Sequence, residues 1–228
     1  MQIASGNTPG KKTKHIPIRV EGAWAIDPGE CLLLQEMAHR INNELTSTIS
    51  IISSAAERSK NCDVKVALAE VTEHLYDHAR VYRALQIPTT NRPIDAAVYL
   101  RELCQSITRA KLRHRGVTLV LVEHPLQLGS AQCWRLGLIV SELITNASRH
   151  AFADVGGTIQ VELRKRGANV ECRVADDGSG PANVRPGQGL RIIQQLARGL
   201  NGRVKQRFGV KGAVAVVSFP IEELVQTS

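Results

Sequence analysis

Aromatic residues are scarce, with three Phe, two Trp and three Tyr among 228 positions. A surface that stacks unpaired bases needs a series of aromatic platforms, and this chain does not supply one. Cysteine is also sparse. Cys31, Cys62, Cys104, Cys133 and Cys172 are odd in number, far apart and without a CxxC pair. That excludes a disulfide framework and a thiolate zinc site, and it fits a reducing compartment. No apolar run approaches the ~18 residues of a membrane span. The polar start, Met1 to Lys14, lacks the apolar centre of a signal peptide. A soluble, cytoplasmic protein without a membrane span is the expectation. Internal repeats and low-complexity tracts are absent as well.

Hydrophobic residues make up 43% and charged residues 22%, a globular composition that excludes wholesale disorder. A chain of this length buries roughly 70% of its unfolded surface, enough for a core without staples. The net charge is +8 with His neutral. Its basic groups are dispersed, at Lys11 to Lys14, Lys111 to Arg115 and Arg164 to Arg166. No helix-turn-helix, zinc-finger or RNA-binding signature accompanies them. No nucleic-acid partner is expected. The charge reads as a solvated surface or as a field for acidic partners and phosphates.

Residues 1–28 read as a turn-rich, basic leader. Leu34, Met37, Ile41, Leu45, Ile49 and Ile52 then recur at spacings of three and four, the stripe of a long helix. Glu30 to Arg58 contains neither Gly nor Pro, so this helix would run about 43 Å at 1.5 Å per residue. After a turn at Ser59 to Asp63, a second stripe follows in Val66, Leu68, Val71, Leu75, Ala79, Tyr82 and Leu85. Two such helices make a hairpin with more apolar face than one hairpin can bury. A second copy or the following domain would cover the excess, and a homodimer is expected. Thr89 to Pro93 reads as a linker.

Beyond it the pattern predicts a helix over 96–113, a strand over 117–123 and a helix over 131–152. Hairpin strands over 158–166 and 170–175, a helix over 190–200 and strands over 203–208 and 213–219 follow. The mixture lacks βαβ regularity. An α+β sandwich, with helices on one face of a mixed sheet, fits it. The expected division is a leader at 1–28, a helical hairpin at 29–88 and a sandwich domain at 94–222.

Asp176-Asp177-Gly178-Ser179-Gly180 follows directly on a predicted strand, and Gly187-Gln188-Gly189-Leu190 opens a helix. Glycines let backbone approach a ligand, and a helix start offers unpaired N–H groups to phosphate. Asp176 at a strand end suits an exocyclic amine. Taken singly, these segments read equally well as a surface turn and a tight helix entry. Glu142, Asn146 and His150 add a third element at i, i+4 and i+8 on one helical face, with Arg149 beside them. Carboxylate and amide oxygens there suit a hard Mg²⁺ that also holds nucleotide phosphates. The bland alternatives are a solvating Asn146 and a capping or core His150.

These residues carry a resemblance. Ser141 to Phe152 resembles the N box of sensor histidine kinases, Asp176-x-Gly178-x-Gly180 their G1 box, and Gly187-x-Gly189-Leu190 their G2 box. The three boxes resemble the Bergerat ATP-binding fold shared with DNA gyrase. Upstream, Glu36-Met37-Ala38-His39-Arg40-Ile41-Asn42-Asn43 is similar to the H box of the HisKA_2 subgroup, close to the HWE kinases. Asn42 stands where that subgroup usually has Lys. Ser141 stands where HWE kinases have His, and no Trp-x-Glu follows. The segment between Gly180 and Gly187 is only Pro-Ala-Asn-Val-Arg-Pro, a very short ATP lid.

The resemblance implies a phosphoacceptor His39 flanked by Glu36, Arg40 and Asn43. It implies Glu142 as a catalytic group that shares Mg²⁺ with Asn146. The nucleotide set would be Asn146, Arg149, His150, Asp176, Gly178, Gly180, Gly187, Gly189 and Leu190. ATP and Mg²⁺ are the implied cofactors, and a response-regulator receiver domain the implied partner. No PAS, GAF or membrane-sensor pattern is recognisable ahead of the H box, so the signal is expected to arrive through a partner, such as an upstream sensor protein, or through the leader. Phosphoryl transfer asks for little beyond an in-line nucleophile and a positioned, charge-compensated triphosphate. An exposed imidazole, with pKa near 6.5, is partly neutral at pH 7 and can attack. Two further classes use part of the same set. One is a histidine phosphotransferase or adaptor with a degenerate ATP domain; the other is a serine kinase of the anti-sigma type, which needs no His-bearing hairpin.

Overall fold

The computed structural model describes residues 28–88, 92–152, 156–179 and 188–222. Apart from Pro28, the expected leader lies outside the described residues, and so do Gly180, Gly187 and the lid between them. The side chains of Cys31 and Leu34 lie outside as well.

Helices α1 (Pro28–Arg58) and α2 (Cys62–Ala84) form the expected hairpin. Asn61 fixes its turn, its Oδ1 accepting from the amides of Asp63 at 2.8 Å and Val64 at 3.4 Å. This satisfies donors that a helix start leaves unpaired. Ile49 of the first stripe is 4% exposed, whereas Met37 is 56% and Ile41 44% exposed. On α2, Val66, Val71 and Tyr82 are also exposed. The apolar surplus anticipated for a single hairpin is therefore present. Burial is deepest toward the end of α2, at Asp77, Ala79 and Val81, where α2 packs on the sandwich.

That junction is hydrogen-bonded as well as packed. Tyr99 Oη donates to the Ala84 carbonyl at 3.0 Å, and Trp134 Nε1 donates to the Leu85 carbonyl at 2.9 Å. A helix leaves its last carbonyls without intrahelical partners, so the sandwich caps α2. Gly137 makes room for this, because a Cβ there would collide with the Tyr99 ring.

The linker expected through Pro93 is shorter than its pattern suggested. Residues 89–91 lie outside the description, but β1 (Pro93–Asp95) already pairs antiparallel with β3 (Gln127–Gly129). Three-residue strands carry too little alternation to be read from sequence. Asp95 then caps α3 (Ala96–Ile107), accepting from the amide of Ala97 at 2.8 Å. The helix expected over 96–113 has the right extent but not one geometry. It widens into a π-turn at Thr108–Leu112 and tightens to a 3₁₀ turn at Arg113–Arg115. One wide turn hardly disturbs an apolar period, so the sequence pattern does not reveal it. Gly116 ends the run with φ of 64°, a left-handed conformation that favours glycine.

The main sheet has five strands in the order β2-β4-β5-β7-β6. They are β2 (Val117–Glu123), β4 (Gly157–Arg166), β5 (Asn169–Asp176), β6 (Arg203–Gly209) and β7 (Gly212–Pro220). β2 and β4 run parallel, joined through α4 (Ser130–His150); the other neighbours are antiparallel. Alternate residues Val161, Leu163, Val170, Cys172, Val217 and Phe219 are buried beneath α3, α4 and α5 (Gln188–Gly199). Leu100, Ile107, Leu136, Ile139, Ile144 and Ile193 complete the core from the helical side. Each such side chain contributes about 1.5–3 kcal/mol on full burial. The opposite face is polar: Arg164 Nε donates to Glu171 at 3.1 Å and Arg164 also pairs with Glu162. The result is a two-layer sandwich behind a helical hairpin, as expected.

Candidate functional site

The C-terminal half of α4 is where the separate motifs meet. Its apolar residues face the core, which leaves Glu142 and Asn146 half-buried on another face and Arg149 and His150 exposed at the end. Gly189, in the first turn of α5, lies against that face. A Cβ on Gly189 would strike Glu142 Oε1 and sit 3.4 Å from Asn146 Nδ2. The missing side chain is what lets a helix start, with its unpaired amides, approach Glu142 and Asn146. Leu190 follows, half-buried.

Asp176 ends β5 at the same end of the sandwich. Its Oδ1 accepts from the amides of Gly178 at 3.2 Å and Ala213 at 3.1 Å. Among the described residues its other oxygen has no hydrogen-bond partner. Gly178 is buried against α4's end, where a Cβ would collide with the carbonyl of Ala151. The neighbouring Asp177 ties the loop to β4: its Oδ1 accepts from the Thr158 amide at 2.7 Å, and its own amide donates to the Thr158 carbonyl at 3.2 Å. The structure thus sets Gly189 against Glu142 and Asn146, and sets Gly178, bonded to Asp176, against Ala151 at the end of the same helix.

Several contributors escape a reading of motifs. Gly212 has φ of +113°, and a Cβ there would strike the Asp176 carbonyl. In the sequence it is one of the glycines of an ordinary hairpin turn. Lys111, seen there only as one of several scattered bases, donates from Nζ to Thr145 Oγ1 at 3.3 Å. Thr145 shares the helical face of Glu142, Asn146 and Arg149. Burial lowers the Lys111 pKa, Arg149 adds to the effect and Glu142 opposes it. Arg115 donates to Ser148 Oγ at 3.3 Å. Across the seam with α2, burial, Lys111 and His74 lower the pKa of His78, with the carboxylate of Asp77 opposing. The rings of His74 and His114 meet edge to face at 6.4 Å.

Glu142 and Asn146 are the natural oxygen donors for a divalent cation. No group of three or more His, Cys, Asp and Glu suited to a metal occurs among the described residues. A partial donor set of this kind fits Mg²⁺, which keeps waters and phosphate oxygens in most of its shell.

On the hairpin, Glu36, His39, Arg40 and Asn43 lie on one exposed stretch of α1. Arg40 Nε donates to Glu36 Oε1 at 3.1 Å, so Arg40 neutralises Glu36 across one turn. The helix that packs on the sandwich is α2, and His39 is on the other one. No helix among the described residues is long and apolar enough to cross a membrane. Cys62, Cys104, Cys133 and Cys172 are free thiols. Burial pushes Cys104 and Cys133 up to about 12, which makes them poor nucleophiles.

The profile of the histidine kinase-like ATPase domain matches residues 93–210, and that of the HisKA_2 histidine kinase domain matches residues 36–111. Blue-light-activated histidine kinase 2 of Erythrobacter litoralis is 29% identical over 203 residues, 83% of this chain and 57% of that protein. Sensor histidine kinase PdtaS of Mycobacterium tuberculosis is 25% identical over 82% of this chain and 39% of its own length. The chain therefore spans about half or less of the curated relatives it matches. In fold, it is similar to the histidine kinase domain of the Erythrobacter litoralis EL346 blue-light-activated kinase, with a TM-score of 0.57 at 23% identity over 78% of this chain and 96% of that one. With a HisKA_2 hairpin joined to a histidine kinase-like ATPase sandwich, the chain belongs to the histidine kinase family.

Proposed function

We propose that the chain is an ATP-dependent protein-histidine kinase that phosphorylates its own His39 and passes the phosphoryl group to an aspartate of a response-regulator receiver domain. The observation that supports this reading is Gly189 seated against Glu142 and Asn146 on α4, with the amide-held Asp176 joined through Gly178 to the end of that helix, in a chain that also exposes His39 on α1. The proposed domains are the hairpin at 29–88 and the nucleotide domain at 94–222.

In this reading the free oxygen of Asp176 accepts from the adenine amine, and the first turn of α5 receives the phosphates at Gly189. Glu142 and Asn146 hold Mg²⁺, which supplies charge compensation to the triphosphate. Arg149 and His150 border the nucleotide from the end of α4. The unprotonated ring nitrogen of His39 attacks the γ-phosphorus, the bond from γ-phosphorus to the bridging oxygen breaks, and ADP leaves. The proton on the other ring nitrogen passes to solvent, giving a neutral phosphoimidazole. A receiver carboxylate then takes the phosphoryl group as an acyl phosphate, and the imidazole is restored. The exposed Met37, Ile41, Val66, Val71 and Tyr82 favour a homodimer that closes a four-helix bundle. Free thiols support a cytoplasmic site of action. An upstream sensor protein would supply the stimulus.

Incubation with γ-labelled ATP and Mg²⁺ tests the reading. A label that is acid-labile and base-stable, absent from His39→Gln, is the expected result. His39→Gln retains nucleotide binding, because the pocket belongs to the sandwich. Asn43→Ala also binds ATP but changes the rate at which phosphoryl is gained or lost. Acid-stable label would favour the serine-kinase class. Absence of label and of ATP binding would favour the adaptor class.

A further inference from the structure

The π-turn at Thr108–Leu112 puts Lys111 beside the proposed nucleotide face, although it belongs to none of the sequence boxes. Its Nζ is 3.3 Å from Thr145 Oγ1, and Thr145 is flanked along α4 by Glu142, Asn146 and Arg149. Gly189 borders Glu142 and Asn146 from α5, while Lys111 borders the same stretch of α4 from the π-turn. π-Turns within helices occur frequently at functional sites, where they re-aim the side chains that follow.

The charge balance of this corner is unusual. Lys111 is half-buried, and among the described residues it has no ion-pair partner. Arg149 is near enough to disfavour its charge, Glu142 near enough to favour it, and burial acts with Arg149. Arg115 adds a further cation at Ser148, and His78 and His114 lie behind Lys111 on the side of α2. An ammonium group that is partly desolvated next to a guanidinium is costly to maintain. A polyanion docked against both would relieve that cost. A helix-capping or purely packing lysine would instead leave its amine in water.

We propose that Lys111 is a phosphate-contacting residue of the nucleotide site, reaching the polyphosphate of ATP from the π-turn side of α4. The inference rests on the ATP-binding reading above. Lys111 moves from the Thr145 hydroxyl to a phosphate oxygen, exchanging a neutral acceptor for a charged one. The contact also joins the hairpin to the nucleotide, because the π-turn that carries Lys111 packs against α2.

Titrations of the full chain with Mg-ATP and with adenosine, on wild type, Lys111→Met and Lys111→Arg, test this. The expected result for Lys111→Met is a loss of about tenfold or more in ATP affinity, the effect of one charge-assisted hydrogen bond. Its adenosine affinity stays within about twofold, and Lys111→Arg keeps most of the ATP affinity, as a retained cation would. Wild-type ATP affinity in Lys111→Met overturns the proposal while leaving the ATP reading intact. Equal losses for ATP and adenosine overturn it too, since Lys111 would then be only a support for α4. A wild-type chain that binds no ATP overturns both.

Discussion

Asp176→Asn separates recognition from folding more sharply than any other single change at this site. The wild-type Oδ1 accepts from two backbone amides, of Gly178 and Ala213. An asparagine can turn its carbonyl oxygen to the same place and keep both bonds. Its NH₂ then occupies the position of the free carboxylate oxygen, presenting a donor where the proposed adenine amine also donates. The variant therefore loses one charge-assisted hydrogen bond and gains a donor–donor conflict. At about 1.5–3 kcal/mol for the bond alone, ATP affinity falls roughly ten- to over a hundredfold.

Asp176→Ala is the informative partner. It strips the acceptor from both amides, which lie where the end of β5 meets the β6–β7 hairpin. Leaving a buried donor unmatched costs about 1–3 kcal/mol. The alanine variant should melt several degrees lower, whereas the asparagine variant melts close to wild type. Calorimetric titration with Mg-ATP and thermal denaturation read the two effects separately. Wild-type affinity in Asp176→Asn would refute the assignment of Asp176 to the base. A large drop in melting temperature for Asp176→Asn would refute the argument that its role divides between one structural and one ligand-facing oxygen.

The remaining predictions use neighbouring parts of the structure. Gly189→Ala should weaken Mg-ATP binding in titration, because its Cβ pushes the Glu142 carboxylate aside and touches Asn146. Gly212→Ala combines a left-handed φ with a collision against the Asp176 backbone, and should lower both melting temperature and ATP affinity. Tyr99→Phe and Trp134→Phe each remove one bond from the end of α2; each should cost about 1 kcal/mol and speed amide exchange around residues 82–88. His78 has its folded pKa depressed below the ordinary 6.5 by burial first, then by Lys111 and His74. Its neutral form is therefore favoured in the folded chain, and the unfolded chain binds the proton more readily. The stability it contributes is complete above pH 6.5 and is lost as pH falls through the folded value. Denaturant titrations at pH 7.5 and 5.5 should show a smaller acid loss in His78→Gln than in wild type.

Much of the fold was legible because it rests on periodicity. The stripe from Met37 to Ile52 marks one face of a helix, and the alternation over 157–166 and 169–176 records a buried face directly in the order of residues. In the structure single residues enforce two of the element ends, Asn61 at the start of α2 and Gly116 at the end of the 3₁₀ turn. The three-residue strand β1 and the π-turn were not legible, since neither leaves a periodic trace. At the site, Glu142, Asn146 and Asp176 were readable as chemistry at recognisable spacings. Gly212 and Lys111 were not, because their roles depend on which segments the sheet order and the helical layer bring close. No spacing along the chain joins residue 212 to Asp176, or residue 111 to Thr145.

The division of labour within the hairpin follows from the same packing. α2 is fastened to the sandwich by buried Ala79 and Val81 and by the caps from Tyr99 and Trp134. α1, which carries His39, packs on α2 and keeps Met37 and Ile41 of its apolar stripe exposed. The seam that joins α2 to the proposed nucleotide face is also where basic groups gather, with His74 and His78 on one side and Lys111 and His114 on the other. Apolar contact closes that seam, and the nearness of Lys111 works against a charge on His78. In the proposed site a bound polyphosphate would draw Lys111 toward the nucleotide and away from His78, making protonation of His78 easier. Nucleotide occupancy and protonation of His78 would then be coupled through one side chain, and by reciprocity a change in either would alter the other. The coupling vanishes in Lys111→Met even where the apolar seam is unchanged, so a double-mutant cycle between Lys111→Met and His78→Gln, read as ATP affinity, should show non-additivity. Strict additivity of the two changes would mean that the seam and the nucleotide site act independently.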